Sequence, residues 1–258
     1  MGKWAELSNE IERYVRPATY ILGFSRLEKV EDAEKMKGVR GAGRHCTFCQ
    51  LVTLARKAGQ TISATADDMT LWCSQLLGLW EEAPEEVDFK RRVGYFYEDL
   101  GDAKKARQSI VTIPFDGKEA IIIGPLAKER FDPEVLLIYG SSAQMSVLMC
   151  AMQVKDYERL QFFYIGESAC SDALCQSYVS GKPALTVPCI GERFYGGVDE
   201  NELVFAVPSA LAEKLVSGLS WLHEKGLRYP IVPMGPLVDP TEQTRRLRPG
   251  AKGFKSDL

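Results

Sequence analysis

The sequence predicts an α+β protein: a mixed central sheet with helices packed on it, and an N-terminal half that is mostly helical. Three observations carry this. The runs Ala120-Ile121-Ile122-Ile123-Gly124 and Val135-Leu136-Leu137-Ile138-Tyr139 are continuously apolar, as strands covered on both faces are. Residues 141–153 place Met145, Leu148, Met149 and Met152 at helical spacing. Strand-like and helix-like segments then alternate through residues 119–224.

The elements follow in order. Ser8 or Asn9 reads as the N-cap of a first helix, with Glu10 and Glu12 in its opening turn and Pro17 after its end. Tyr20-Ile21-Leu22-Gly23-Phe24 is a short apolar run between breakers and predicts a buried strand. Val30–Lys37 reads as a charged turn or short helix. Gly38-Val39-Arg40-Gly41-Ala42-Gly43-Arg44 lacks the Gly-Lys-Ser/Thr ending of a P-loop. It reads more readily as a solvated basic loop than as an anion cradle. A helical pattern over Thr47–Lys57 is closed by Gly59, and Thr61–Thr65 has strand character. Asp67-Asp68 reads as the cap of a helix reaching Trp80, followed by helices over Glu85–Tyr97 and Gly101–Gln108.

In the second half, Ser141–Gln153 is an apolar helix and Leu160–Ile165 a strand. A helix from Gly166 to near Gly181 comes next, then strands at Leu185–Val187 and Leu203–Val207. Ser209 caps a final helix over Ala210–Lys225. One domain is expected over 1–235. Residues 236–258 form a basic, Pro-containing tail, expected to be mobile or docked on a partner.

Composition narrows the function. A net charge of −3 leaves no general basic field for nucleic acid. No apolar run reaches the ~20 residues that span a membrane, and the N-terminus lacks a secretory core, so a cytoplasmic protein is expected. Seven cysteines in 258 residues is an odd count in a chain able to fold without disulfides, which points to reduced thiols used for packing or ligation.

Three segments each place a cysteine near the start of a predicted helix: Arg44–Gln50, Asp67–Cys73 and Gly166–Asp172. The partial positive charge at a helix N-terminus favours thiolate, the form that ligates metal. Cys46 and Cys49 form a CxxC, a weak signal without a second compact ligand pair. Cys170 stands at a strand-to-helix corner, where ligands gather in sheets containing parallel strands. Ser141, Ser142 and Gln144 form a similar corner. Cys150 and Cys175 read as core, and Cys189 as either core or site.

These residues carry a resemblance. Cys49–Lys57, the Cys73 segment ending Leu77-Gly78-Leu79, Gly94-Tyr95-Phe96, Val135–Gly140, Ala169-Cys170 and Pro188–Arg193 are similar to the pattern of the domain of unknown function 169 family. That family is common in anaerobic bacteria and archaea. The resemblance spans about residues 45–225 and implies cysteines at the positions of Cys49, Cys73 and Cys170. Cys189 matches only some members. The histidine or glycine context usual before the second cysteine is replaced here by Met69 and Leu71-Trp72.

Three thiols from separate segments suit a [4Fe–4S] cluster with three cysteine ligands and one open iron. On that reading the protein is a cytosolic enzyme performing dehydration or reductive chemistry, and Arg44, Ser141, Gln144 and Arg193 orient a small anionic substrate. The alternative is a non-catalytic small-molecule-binding or accessory module with inert buried thiols. Its pocket would be lined by Tyr95, Phe96, Tyr139 and the methionine helix. Whether the chain is an enzyme, and whether it forms a homo-oligomer, stay open at this level.

Overall fold

A computed structural model describes residues 2–81, 93 and 95–233. Seven strands form one sheet in the order β2-β3-β4-β1-β5-β7-β6. They are β1 (Leu22–Leu27), β2 (Val39–Gly41), β3 (Thr61–Thr65), β4 (Ala120–Pro125), β5 (Val135–Ser141), β6 (Ala184–Thr186) and β7 (Glu202–Pro208). Only the β2–β3 pair is parallel; the other five pairings are antiparallel. The sheet is therefore mixed, as expected, although its strand-to-helix corners do not arise from a run of parallel strands. The first half holds more helix than strand, yet it supplies β1 to β4.

Helices cover both faces. Along β5, Val135, Leu137 and Tyr139 enter one core while Leu136 and Ile138 enter the other, the two-residue alternation of a strand. One core takes in α3 (Phe48–Ala58), α4 (Leu71–Leu76) and the helical segment at 169–180. The other takes in α1 (Lys3–Val15), α6 (Ser142–Gln153) and α9 (Ala212–Glu224). Smaller pieces complete the described helices: α2 (Val30–Lys35), α5 (Leu100–Ser109), α7 (Gln176–Ser180) and α8 (Ile190–Gly196). The methionine helix α6 is core, with Met145 and Met152 buried, and it lies across the sheet from α3.

Several boundaries differ from the sequence reading, each for a tertiary reason. Helix α1 begins at Lys3, not at Ser8 or Asn9. The Glu129 carboxylate, remote in sequence, accepts from the Gly2 and Ala5 N–H groups at 2.9 Å each. It thereby satisfies donors a local cap would otherwise serve. Ser8, mid-helix, donates to Glu12 instead. Asp68 does not cap α4: its carboxylate turns back onto the Thr65 N–H and hydroxyl at 2.9 and 3.0 Å. The helix stops at Leu76, short of Trp80. Gly78 follows at φ +68° with the Ile113 and Pro114 carbonyls 2.7 Å from where a Cβ would stand.

Residues 160–165 form no strand, and Phe162, Phe163 and Tyr164 are exposed. Ser209 opens a 3₁₀ turn rather than capping α9, which starts at Ala212. Cys150, expected in the core, is exposed. The helix expected over 85–97 falls largely outside the described residues, as does the tail 236–258. No described helix is long and apolar enough to cross a membrane.

Helices α6 and α9 touch at Gly218, where an added Cβ would lie 2.1 Å from the Ala151 carbonyl oxygen. Gly218→Ala must push the two helices apart, because the obstacle is backbone. Overpacking of this kind costs about 1–3 kcal/mol. Urea unfolding of the variant should show that loss with an unchanged m-value.

Candidate functional site

The site forms where the N-terminal ends of four helical segments meet. Thr47 caps α3 in a reciprocal capping box with Gln50, placing Cys49 in the first turn. The chain entering α3 is tied to the chain entering α4 by two backbone hydrogen bonds. The Cys46 N–H donates to the Asp68 carbonyl at 2.9 Å and the Thr70 N–H to the Cys46 carbonyl at 3.0 Å. The two helix starts thus lie side by side, and the Phe48 N–H donates to Cys73 Sγ at 3.3 Å.

The third segment is tied to α4 by the Trp72 indole, which donates to Ser168 Oγ at 3.0 Å. Helical backbone starts at Ala169, so Cys170 falls in the first turn as expected, and residues 171–175 widen into a π-helical turn. The fourth segment is α8, with Cys189 at its N-cap. Helix α8 packs on α3 closely enough that a Cβ on Gly196 would touch Cys49 at 3.4 Å. Thr53 donates to the Gly196 carbonyl at 2.5 Å and Lys57 to the Gly197 carbonyl at 2.6 Å.

Beneath these helices runs a buried polar chain. Arg56, fully buried, donates to both carboxylate oxygens of Glu202 at 2.8 and 3.0 Å. Its guanidinium lies 4.4 Å from the Tyr139 ring centroid. The Tyr139 hydroxyl donates to Glu192 on α8 at 2.7 Å. Burial raises the Glu192 pKa against the opposing hydrogen bond from Tyr139. Burial also works against ionised Glu202, but its bonds from Arg56 and the Asp199 N–H prevail and lower its pKa.

Cys49, Cys73, Cys170 and Cys189 line one pocket of about 380 Å³. Cys49, Cys73 and Cys170, expected around a common pocket, all line it, and so does Cys189. Four of the fifteen lining residues are cysteine, in a chain where cysteine is seven of 258. The thiols are not activated: burial is the largest influence on each and raises the pKa of all four. Desolvation exceeds the hydrogen bonds that favour the charged form, such as the one the Phe48 N–H makes to Cys73 and the one the Ala169 N–H makes to Cys189. Among the described residues, no group of three or more His, Cys, Asp or Glu side chains is gathered so as to hold a metal ion.

The residues expected to orient an anion do not line this pocket. Arg44 is exposed. Ser141 and Gln144 form the capping box of α6, and the Gln144 amide donates to the Val15 and Arg16 carbonyls at 3.0 and 2.8 Å. Arg193 reaches toward the Asp199 carbonyl. Tyr95 and Phe96 do line the pocket, whereas Tyr139 is buried in the polar chain and the methionine helix lies across the sheet. Of the other cysteines, Cys175 is core, donates to the Leu76 carbonyl and has a pKa pushed up to about 12 by burial. Cys46 packs in the same core. The sequence reading missed Trp72, Glu167, Ile190, Phe194 and Tyr195 as pocket residues. The adjacent aromatics after Cys189 were the available signal.

Residues 10–218 match the model of a family described as Uncharacterised ArCR, the domain of unknown function 169. The chain is 27% identical over 188 residues to Uncharacterized protein MJ0308 of Methanocaldococcus jannaschii, covering 70% of this chain and 78% of that protein. No solved structure matches the chain significantly.

Two outcomes follow from the buried charges. Removing one partner of a buried ion pair costs about 3–5 kcal/mol, whereas replacing both with apolar groups is near neutral. Arg56→Met should therefore destabilise strongly in urea unfolding, and Arg56→Met/Glu202→Leu should recover most of the loss. Asp172, whose carboxylate accepts from the Ile165 N–H at 2.7 Å, has a pKa raised by burial from 3.8 to about 6. The folded state thus holds this proton more tightly than the unfolded chain, so its contribution to stability falls as pH rises from about 4 to about 6. Asp172→Asn should flatten that part of the stability–pH curve.

Proposed function

The chain belongs to the domain of unknown function 169 family, and from that premise and the thiol pocket we propose that it is an iron–sulfur protein acting on a small molecule. Cys49, Cys73 and Cys170 would hold a [4Fe–4S] cluster, with Cys189 at the same wall. The observation that carries this reading is the roughly tenfold enrichment of cysteine in one pocket over the chain as a whole. Packing alone gives no reason for thiols from four separate segments to share a cavity. Thiolate is the usual protein ligand of iron–sulfur centres, and this donor set is all sulfur.

The burial that keeps the free thiols neutral fits the same reading. The described pocket wall carries no Lys or Arg to stabilise several thiolates, whereas a bound metal supplies that charge itself. When bound, a cluster with three protein ligands offers one open iron for Lewis-acid or electron-transfer chemistry. Of this chain's own groups, Thr47 and Ser168 organise the α3 and Cys170 termini that present the thiols. The Phe48 N–H donates to Cys73 Sγ, a bond that favours its charged form.

A second reading is favoured by the raised thiol pKa values: a small-molecule-binding module whose cysteines are inert. Anaerobic purification with iron and sulfide analysis separates the two. The first reading expects about four iron and four sulfide per chain, lost in Cys49→Ser, Cys73→Ser or Cys170→Ser. A colourless protein that takes up neither on anaerobic reconstitution removes it, and pocket thiols that also resist alkylating reagents favour the second reading.

A further inference from the structure

The mouth of the thiol pocket is aromatic. Tyr95 and Phe96 approach from one segment and Phe194 and Tyr195 from α8, and all four line the cavity. Phe194 is 74% exposed, Tyr95 68% and Tyr195 58%. Solvent-facing rings from segments about a hundred residues apart, gathered at one opening, are an exposed apolar patch of the kind that marks a binding site. The Tyr95 and Phe96 rings stand edge to face at 4.6 Å, and a planar aromatic guest would pack on exposed rings by the same offset-stacked or edge-to-face contacts.

Charge narrows the guest. The described wall contains one ionisable carboxylate, Glu167, and no Lys or Arg. The Arg107 guanidinium nearby lies 5.0 Å from the Trp72 ring centroid and is not part of the lining. Against these described residues a carboxylate or phosphate would lose water without gaining a cation from them. The wall also carries the hydroxyls of Thr47, Thr70 and Ser168, of which Ser168 Oγ accepts from Trp72 and Thr47 Oγ1 from the Gln50 N–H. A volume of about 380 Å³ lies at the small end of ligand pockets, about 300–1,000 Å³.

We infer that the pocket binds a small, uncharged aromatic molecule of one or two rings, held by the collar of Tyr95, Phe96, Phe194 and Tyr195 with its polar substituent toward the hydroxyls and thiols. This replaces the small anion expected from the sequence. It rests on the pocket assignment made above and not on the metal.

The test is calorimetric titration of the full chain with three probes of one shape: 2-naphthol, 2-naphthoate and decahydro-2-naphthol. The neutral aromatic should bind at least fivefold more tightly than either the anion or the saturated alcohol. Stacked aromatic pairs contribute about 0.5–1.5 kcal/mol, so Phe194→Ala should weaken 2-naphthol about two- to tenfold. Phe194 is exposed, and an unchanged circular dichroism spectrum would show that the variant folds. Equal affinity for the saturated or anionic probe, or unaltered binding by the variant, overturns the inference. Iron and sulfide are measured on the same samples. Naphthol binding by protein that cannot be loaded leaves this inference standing while the cluster reading falls. A loaded protein that ignores all three probes does the reverse.

Discussion

The arrangement depends on a buried ion pair. Arg56 lies at the last turn of α3 with no exposed surface and grips Glu202 at the start of β7 through two hydrogen bonds. Taking these charges out of water is costly, and the cost is recovered only with good geometry and further partners. Both are present. The Tyr139 ring meets the guanidinium, and the Asp199 N–H donates to Glu202 at 2.9 Å. A planar fork that must meet a carboxylate on both prongs tolerates little sliding, so α3 is held in register with the sheet. Tyr139 extends the constraint to Glu192, and hence to α8. Cys49 on α3 and Cys189 before α8 are thereby referred to the same sheet.

The pocket's chemistry follows from a competition between two fields. Helix N-termini favour an ionised thiol, while burial favours the neutral one. Burial is the largest cause of the raised pKa at all four cysteines. A group of thiols kept neutral by its surroundings is poorly suited to nucleophilic attack and well suited to a partner that brings positive charge.

Much of the fold was legible from local pattern. Every strand of the sheet except β2 corresponds to a predicted run, and α3, α5 and α6 lie within a residue or two of their expected spans, because caps such as Thr47 and Ser141 and the stop at Gly59 act locally. The failures share a cause. Ser8 and Asp68 are good caps by type, but Glu129 serves the start of α1 and Thr65 captures the Asp68 carboxylate. Leu160–Ile165 has strand composition, yet no strand forms there. The continuous apolar runs read as strands covered on both faces, and those in β4 and β5 are fully buried in that way.

The sequence by itself determined which residues are apolar, where most helices begin, and that Cys49, Cys73 and Cys170 stand at such beginnings. Those are properties of neighbours within a turn or two of the chain. Only the tertiary structure decided that Cys189 belongs with them, that Cys46 does not line the pocket, and that Arg44, Ser141, Gln144 and Arg193 lie outside it. It also decided that rings from two distant segments close the mouth. These are questions of distance between parts of the chain far apart in sequence. They are settled by sheet order, the Cys46–Asp68 pairing and the buried Arg56–Glu202 contact, none of which has a local signature.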